Sequence, residues 1–252
     1  MSAIDRPAFY TLRSGGWRDY ATILHLPYTV WHLSYVAIGA AAAPGFSVPT
    51  LGWALLAFFL ATGISAHAID ELNSRPLRTA IPSWVLLTLG VVPLVCAAAI
   101  GIGGALIVPL LWPLVLSGPF FVAAYNREWF SGRLHNRFWF AALWGAFPVT
   151  AGYIANAPDV TAQGLITMGW IAAGAAFLSD AQRVISNRTK FLRRKARRLE
   201  VSADLVPGTD SAERRAVLDK AWLLQPLDGA LRQISFAVPL VAAGLVMSRV
   251  AG

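Results

Sequence analysis

The chain carries its most informative polar segment at residues 66–79, which read AHAIDELNSRPLRT and end a long apolar run that begins near Pro49. His67, Asp70 and Glu71 stand at positions i, i+3 and i+4, so on a helix they share one face. Ionisable groups at the end of a membrane helix are costly unless they face protein, water or an ion. We therefore predict that these residues line a polar mouth on the cytoplasmic side of a helical bundle.

Composition places the chain among helical membrane proteins. Of its 252 residues, 56% are hydrophobic and 13% are charged, with a mean hydropathy of +0.56. A soluble domain carries about 25% charged residues. Leu, Ala and Val occur in unbroken runs of membrane-spanning length, whereas barrel strands would alternate. The expected fold class is an all-α polytopic membrane bundle.

Apolar runs predict about seven transmembrane helices. They fall at about 20–43, 49–70, 82–102, 105–125, 138–156, 161–180 and 230–248. Four regions follow from this division: a cytoplasmic N-terminal tail (1–19), a six-helix membrane core (20–187), a basic cytoplasmic loop (188–229), and the last helix with the C-terminus (230–252). An amphipathic helix lying on the membrane is predicted within the basic loop, at about 211–224.

Positive charge falls on one side of this layout. The inner segments 1–19, 71–81, 126–137 and 181–232 hold 20 of the 21 Lys and Arg residues, and Arg249 is the exception. Because cytoplasmic loops are enriched in Lys and Arg, the N-terminus is predicted to be cytoplasmic and the C-terminus outside, in a bacterial inner membrane. The net charge of +8 then indicates contact with anionic membrane lipid, and no nucleic-acid-binding motif accompanies it.

Further polar residues mark the inner ends of the other spans. They are His25, His32 and Tyr35 on span one, Tyr125, Asn126 and Arg127 after span four, and Asp180 and Arg183 after span six. Carboxylates can hold Mg²⁺ together with phosphate oxygens, and arginines can neutralise a diphosphate. A polar mouth above an apolar interior suits an amphiphile with a charged head and a hydrocarbon tail.

This arrangement resembles the UbiA-type intramembrane prenyltransferases over roughly residues 17–200. That family has a motif Asn-Asp-x-x-Asp-x-x-x-Asp at the end of its second span, where Asp70 matches the central Asp and His67 stands at the first. Ala66 and Ser74 replace the Asn and the last Asp, and Arg75-Pro76-Leu77 is similar to the family's later Arg-Pro-Leu. Asp180 matches the opening Asp of the second motif. Tyr125-Asn126 and GAFPVTAGY at 145–153 look like its fourth and fifth spans.

The resemblance implies Mg²⁺-dependent transfer of a prenyl group from an isoprenoid diphosphate to a small or lipid acceptor within the membrane. It assigns the metal to Asp70, Glu71 and Asp180, with His67 as a further catalytic residue. Arg75, Arg127 and Arg183 would face phosphate, and His25, His32, Tyr35 and Tyr125 would line the acceptor cavity. Arg78 and Asn126 would also bind substrate.

Two other readings remain open from the sequence. Several acids of the family motifs are missing, which favours a non-catalytic relative that binds an isoprenoid or lipid. Four histidines (25, 32, 67 and 135), together with Asp70, Glu71 and Glu128, could instead build a metalloenzyme site inside the bundle.

Overall fold

A computed structural model describes residues 8–196, 199–204 and 215–252. This part of the chain is a helical bundle with one pair of antiparallel strands. The helices are α1 (Trp17–Ile23), α2 (Leu26–Ala42), α3 (Val48–Ser74), α4 (Ser83–Ile107), α5 (Trp112–Asn126), α6 (Arg137–Ala155), α7 (Ala162–Arg194) and α8 (Lys220–Ala251), with a 3₁₀ turn at Pro109–Leu111.

Five of these helices, α3, α4, α6, α7 and α8, are long and apolar enough to cross a membrane. The chain is therefore compatible with a multi-pass membrane protein. The remaining two predicted spans coincide with α2, of 17 residues, and α5, of 15 residues. The count of seven spans stays a prediction.

Polar side chains fix where several helices begin. Ser47, Asn136, Thr161 and Asp219 each accept a hydrogen bond from the backbone N–H three residues later. These caps satisfy amide groups that have no partner inside the helix. The sequence thus sets the starts of α3, α6, α7 and α8 with single residues.

Two helices widen into π-helical turns, Phe59–Ala66 in α3 and Ala142–Ala146 in α6. Such turns are rare in proteins, and those that occur are often found at functional sites. The first turn leads directly into His67, and the second contains Trp144. The carbonyl oxygen of Trp144 lies 2.8 Å from the Nδ1 atom of His32, so each turn adjoins one of the histidines that the sequence singles out.

Close backbone contact joins α2 to α6 at the centre of the bundle. A Cβ atom added to Gly39 would lie 2.9 Å from the carbonyl carbon of Val149, and one added to Gly152 would lie 2.9 Å from that of Val36. Glycine is the residue that lets membrane helices approach this closely. Helix α8 covers the other side of α2, and α7 packs against α6.

Charged residues anchor the helices at both ends. Arg193 and Asp228 form an ion pair between α7 and α8. Arg249, the only cation that the sequence places outside, donates hydrogen bonds to the carbonyl oxygens of Ala43 and Pro44, at 3.0 and 3.1 Å. Arg249 therefore satisfies carbonyl groups at the end of α2, and its positive charge stabilises this helix C-terminus.

The basic loop differs from its expected structure. Strands β1 (Glu200–Asp204) and β2 (Arg215–Asp219) pair in antiparallel register from Glu200 opposite Asp219 to Asp204 opposite Arg215. The helix expected at about 211–224 begins only at Lys220 and continues without a break to Ala251. Its first residues, 211–214, lie outside the described part of the chain.

Candidate functional site

A polar cavity of about 270 Å³ lies where the ends of α2, α3, α5 and α7 meet. Seven of the residues selected from the sequence line it, which are His25, His32, His67, Asp70, Tyr125, Asn126 and Arg183. All four histidines of the chain are among its lining residues, because His135 also contributes. The convergence of span ends therefore produces a shared polar space.

A second, apolar groove of about 180 Å³ lies between α3, α4, α5 and α6. Its lining is almost entirely aliphatic and aromatic, from Trp53 and Phe58 at one side to Phe147 and Ala155 at the other. Trp144 lines both spaces. The polar cavity and the apolar groove thus adjoin at this side chain.

Helix α2 begins at a break that places His25 in the cavity. His25 has φ of +46°, a left-handed conformation that is uncommon for a residue with a side chain, and Pro27 follows it. Its ring stacks on that of His67 with centroids 4.1 Å apart. Strained backbone of this kind occurs at functional sites when its surroundings hold it in place.

Tyr10 closes the cavity from the segment that precedes α1. Its hydroxyl shares a 3.1 Å hydrogen bond with His25 Nδ1, and its ring packs edge-on against Tyr28. Burial raises the pKa of the Tyr10 phenol well above its ordinary value, and the neighbouring Tyr28 adds to the effect. Tyr10 therefore stays uncharged over the physiological range.

The raised pKa of Tyr10 predicts a loss of stability in alkali. Above about pH 10 the phenol ionises in the unfolded chain but not in the folded one, so the free energy of unfolding falls as pH rises further. We expect Tyr10→Phe to show a shallower decline between about pH 10 and 11 when thermal unfolding is followed by circular dichroism. An identical alkaline decline in both proteins would show that Tyr10 does not contribute.

Arg183 contributes positive charge beside aromatic rings. Its guanidinium lies 4.8 Å from the Phe140 ring centroid and 5.9 Å from that of Tyr125, and it donates a hydrogen bond to the Tyr125 hydroxyl. Its Nε–H group is buried and has no hydrogen-bond partner among the described residues. An unpaired buried donor of this kind favours a ligand that supplies an acceptor.

Lys190 lies on α7 seven residues after Arg183 and adds a second cation to the cavity lining. Asp70 lines the same cavity, and its negative charge attracts the positive charge of Lys190. Glu128 also lines the cavity, from the loop that follows α5. The site thus holds two cations and two carboxylates beside neutral polar groups.

Glu71 lies apart from Asp70, in a fully buried position. Its two carboxylate oxygens accept hydrogen bonds from the backbone N–H groups of Leu77 and Thr79 and from the Thr79 hydroxyl, at 2.8 to 2.9 Å. Both oxygens therefore serve the loop after α3. Although it adjoins Asp70 in sequence, Glu71 does not line the polar cavity.

Asp180 likewise lies outside the cavity lining. It forms a two-pronged ion pair with Arg137, whose side chain is 67% exposed, with contacts of 2.5 and 2.8 Å. The sequence placed Asp180 beside Asp70, and the structure does not bring the two together in one site.

The remaining predicted residues take other positions. Arg75 donates hydrogen bonds to the carbonyl oxygens of Thr79 and Ile81 and to the Ser83 hydroxyl, so its guanidinium holds the loop. Arg78 and Arg127 are exposed and do not line the cavity. Tyr35 is buried in the core next to Ser179.

Sequence reasoning missed Tyr10, Phe140 and Trp144 as lining residues. Tyr10 belongs to a polar tail with no periodic pattern, and the two aromatic residues lie in an ordinary apolar run. Their position depends on the π-helical turn of α6, for which the sequence carries no recognisable signal.

Among the described residues, no three His, Cys, Asp and Glu side chains lie close enough together to hold a metal ion. A predicted Mg²⁺ ion could therefore take only one or two of its ligands from these side chains. Of the three acids assigned to metal, only Asp70 lines the cavity. Mg²⁺ can bind through one carboxylate plus phosphate oxygens and water, so Asp70 fits a single ion, whereas Glu71 and Asp180 are not placed to share it.

The fold and site define a helical protein compatible with multiple membrane passes, with a polar cavity that adjoins an apolar groove. No family model, curated protein or solved structure matches this chain.

Proposed function

We propose that this chain binds an isoprenoid diphosphate in the polar cavity and transfers its prenyl group to a small or lipid acceptor within the membrane. The observation that carries the proposal is the junction at Trp144, where a cavity with two cations adjoins an apolar groove. An isoprenoid diphosphate has matching halves, an anionic head and a hydrocarbon tail. The UbiA-like order of the polar residues supports the same substrate class.

Arg183 and Lys190 are the groups that would bind the diphosphate. The unpaired Nε–H of Arg183 would donate to a phosphate oxygen, and the Lys190 ammonium would neutralise a second. Asp70 would hold one Mg²⁺ shared with the diphosphate, and that ion would offset negative charge on the leaving group. The prenyl tail would lie beyond Trp144, away from water.

Prenyl transfer then breaks the bond between C1 and the diphosphate oxygen, whose electron pair leaves with the diphosphate. A nucleophilic atom of the acceptor forms the new bond to C1 and loses its proton. Uncharged imidazole rings in the cavity, among them His67, could accept that proton. The cavity residues thus orient both reactants and keep the reacting carbon close to the apolar groove.

Cationic residues of α7 provide the direct test. Loss of one charge-assisted hydrogen bond costs about 1.5–3 kcal/mol, so Lys190→Met is expected to weaken binding of farnesyl diphosphate by about 10-fold to 150-fold. Arg188→Met is the matched control, because Arg188 is a cation on the same helix, exposed like Lys190, that does not line the cavity. Binding would be measured with radiolabelled farnesyl diphosphate and the purified chain in lipid nanodiscs.

Substitutions of Asp70 and Asp180 test whether the metal ligand is the acid that lines the cavity or any acid that matches a family motif. Asp70→Asn is expected to abolish Mg²⁺-dependent transfer of label to a membrane lipid extract, whereas Asp180→Asn should leave most of it. Equal loss in Lys190→Met and Arg188→Met, or full Mg²⁺-dependent transfer in Asp70→Asn, would contradict the proposal.

The non-catalytic alternative has one observation in its favour. Glu71 and Asp180, two of the three acids assigned to metal, are engaged in the loop and in an ion pair. A chain that binds farnesyl diphosphate through Lys190 but transfers no label in any lipid extract, with or without Mg²⁺, would be a binding protein for isoprenoids.

A bacterial inner membrane with a cytoplasmic N-terminus is part of the same proposal. The support is the charge distribution, since 20 of 21 Lys and Arg residues fall in segments assigned to one side. The polar cavity would then open toward the cytoplasm, where soluble diphosphates occur.

A further inference from the structure

Residues 8–16, here called the strap, precede the first helix and cross one side of the polar cavity. Tyr10 is the strap residue that lines the cavity, and its hydroxyl lies 3.1 Å from His25 Nδ1 at the start of α2. Phe9 lies against α8, where the guanidinium of Arg232 is 5.6 Å from its ring centroid. The strap therefore contacts both α2 and α8 and covers this side of the cavity.

Isolated hydrogen bonds fasten the strap to α1. The Leu12 N–H group donates to Thr22 Oγ1 at 3.1 Å, and the Gly15 N–H group donates to Asp19 Oδ1 at 2.9 Å. Neither bond belongs to a continuous ladder of the kind that stabilises a helix or a sheet. Segments held in this way open at a low cost in free energy, and the lids of binding sites are drawn from them. The strap can therefore open while α1 and α2 stay folded.

Two glycines join the strap to α1. Gly15 has φ of +118° and Gly16 has φ of +60°, which are backbone conformations that residues with side chains rarely adopt. Nothing lies within 4 Å of a Cβ atom added at either position, so neighbouring atoms do not demand glycine there. Glycine is needed at this junction for its backbone conformation, which is the property that a hinge requires.

A buried carboxylate connects the base of the strap to a second part of the cavity rim. Asp19 is 4% exposed, and its Oδ2 atom accepts a hydrogen bond from the Ala80 N–H group at 2.9 Å. Ala80 belongs to the loop after α3, and Ser74 and Pro76, near the start of that loop, line the cavity. Asp19 thus fixes the position of the hinge relative to the cavity.

We propose that the strap is a gate over the polar cavity, which opens about Gly15 and Gly16 to let a ligand enter and leave. The one polar side-chain atom that Tyr10 brings to the cavity is the hydroxyl, which His25 already engages. The gate therefore controls the rates of binding and release and leaves the affinity unchanged. This inference rests on the proposed function only for farnesyl diphosphate as its second probe.

Access of a water-soluble thiol reagent to the cavity measures opening without any ligand. Ser186 is buried and lines the cavity, so Ser186→Cys in a Cys96→Ser background places a single thiol there. Gly15→Ala strains the closed turn and is expected to speed labelling by an anionic methanethiosulfonate in nanodiscs about fivefold to thirtyfold. Ser14→Ala is the matched control and should leave the rate unchanged, because Ser14 is exposed and lies outside the positive-φ region.

A cysteine outside the cavity controls for general loosening of the bundle. Ser131→Cys lies in the exposed loop after α5, away from the cavity lining, and Gly15→Ala should not change its labelling rate. Tyr10→Phe removes the hydrogen bond to His25 and is expected to speed labelling at position 186 about twofold to tenfold. Equal labelling at position 186 with and without Gly15→Ala, or equal acceleration at both cysteines, would overturn the gate.

The kinetics of farnesyl diphosphate binding distinguish a gate from a group that binds the ligand. In Gly15→Ala, the association and dissociation rate constants of the radiolabelled compound are expected to rise by the same factor, with Kd within about twofold of the unaltered value. A Kd raised by about fivefold or more would make the strap part of the ligand site and reject the gate.

The gate and the proposed function can fail separately. Labelling that responds to Gly15→Ala in a chain that does not bind farnesyl diphosphate would retain the gate and reject the prenyl donor. Farnesyl diphosphate binding that depends on Lys190, with labelling that Gly15→Ala does not change, would retain the proposed function and reject the gate.

Discussion

Gly152→Ala is expected to destabilise the bundle by about 3 kcal/mol, and Gly39→Ala by a similar amount. Each added Cβ would lie within 3 Å of backbone atoms on the facing helix, Val36 for Gly152 and Val149 for Gly39. Backbone cannot move aside as a flexible side chain can, so α2 and α6 have to separate. That separation also disturbs the carbonyl of Trp144 that holds His32.

The two substitutions address the same contact from opposite sides. Once one of them has forced the helices apart, the second Cβ finds room, so the double variant is expected to cost clearly less than the sum of the two. Unfolding would be followed by circular dichroism in detergent micelles with increasing dodecyl sulfate. Additive effects would show that the two glycines lie in independent contacts.

Gly244→Ala and Gly169→Ala are the matched controls, since nothing lies within 4 Å of a Cβ at either position. Both lie inside helices, where alanine is favoured over glycine by about 1 kcal/mol. They should leave stability unchanged or raise it slightly. A loss equal to that of Gly152→Ala would contradict the steric explanation.

Much of the candidate site was accessible from the sequence because ionisable residues in apolar runs are informative. His67 and Asp70 lie one turn apart on one face of α3 and both line the cavity, whereas Glu71 on the same face does not. His25, His32 and Arg183 follow similarly from polar residues at the ends of their spans. The cost of leaving such groups in lipid brings them together, so their convergence needs no knowledge of the detailed packing.

The hydrogen-bond and ion-pair partners of the charged residues could not be predicted from the sequence. Glu71 adjoins Asp70 in sequence and was assigned the same role, yet the buried amides of Leu77 and Thr79 occupy its oxygens. Asp180 pairs with Arg137, 43 residues away in the chain. Each partner is set by the path of a loop or by the angle between helices, and neither follows from residue type or spacing.

Glu71→Ala is expected to cost about 3–5 kcal/mol, because it would leave buried donors without an acceptor in a loop that also carries the strained residues Arg75 and Arg78. Leaving a single buried donor unpaired costs about 1–3 kcal/mol, and two backbone amides and one hydroxyl lose their partner here. Glu71→Gln keeps one carbonyl oxygen and should lose less. Dodecyl sulfate unfolding would measure both.

Asp70→Ala separates this structural role from a role in ligand binding. Asp70 has no backbone donor to satisfy within the described hydrogen bonds, so its removal should change stability by less than about 1 kcal/mol while it abolishes Mg²⁺-dependent transfer. Glu71→Gln protein that remains folded should still bind farnesyl diphosphate. If Glu71→Gln instead unfolds like the unaltered chain but loses the Mg²⁺ response, Glu71 is a metal ligand, and the loop contacts seen here are secondary to that role.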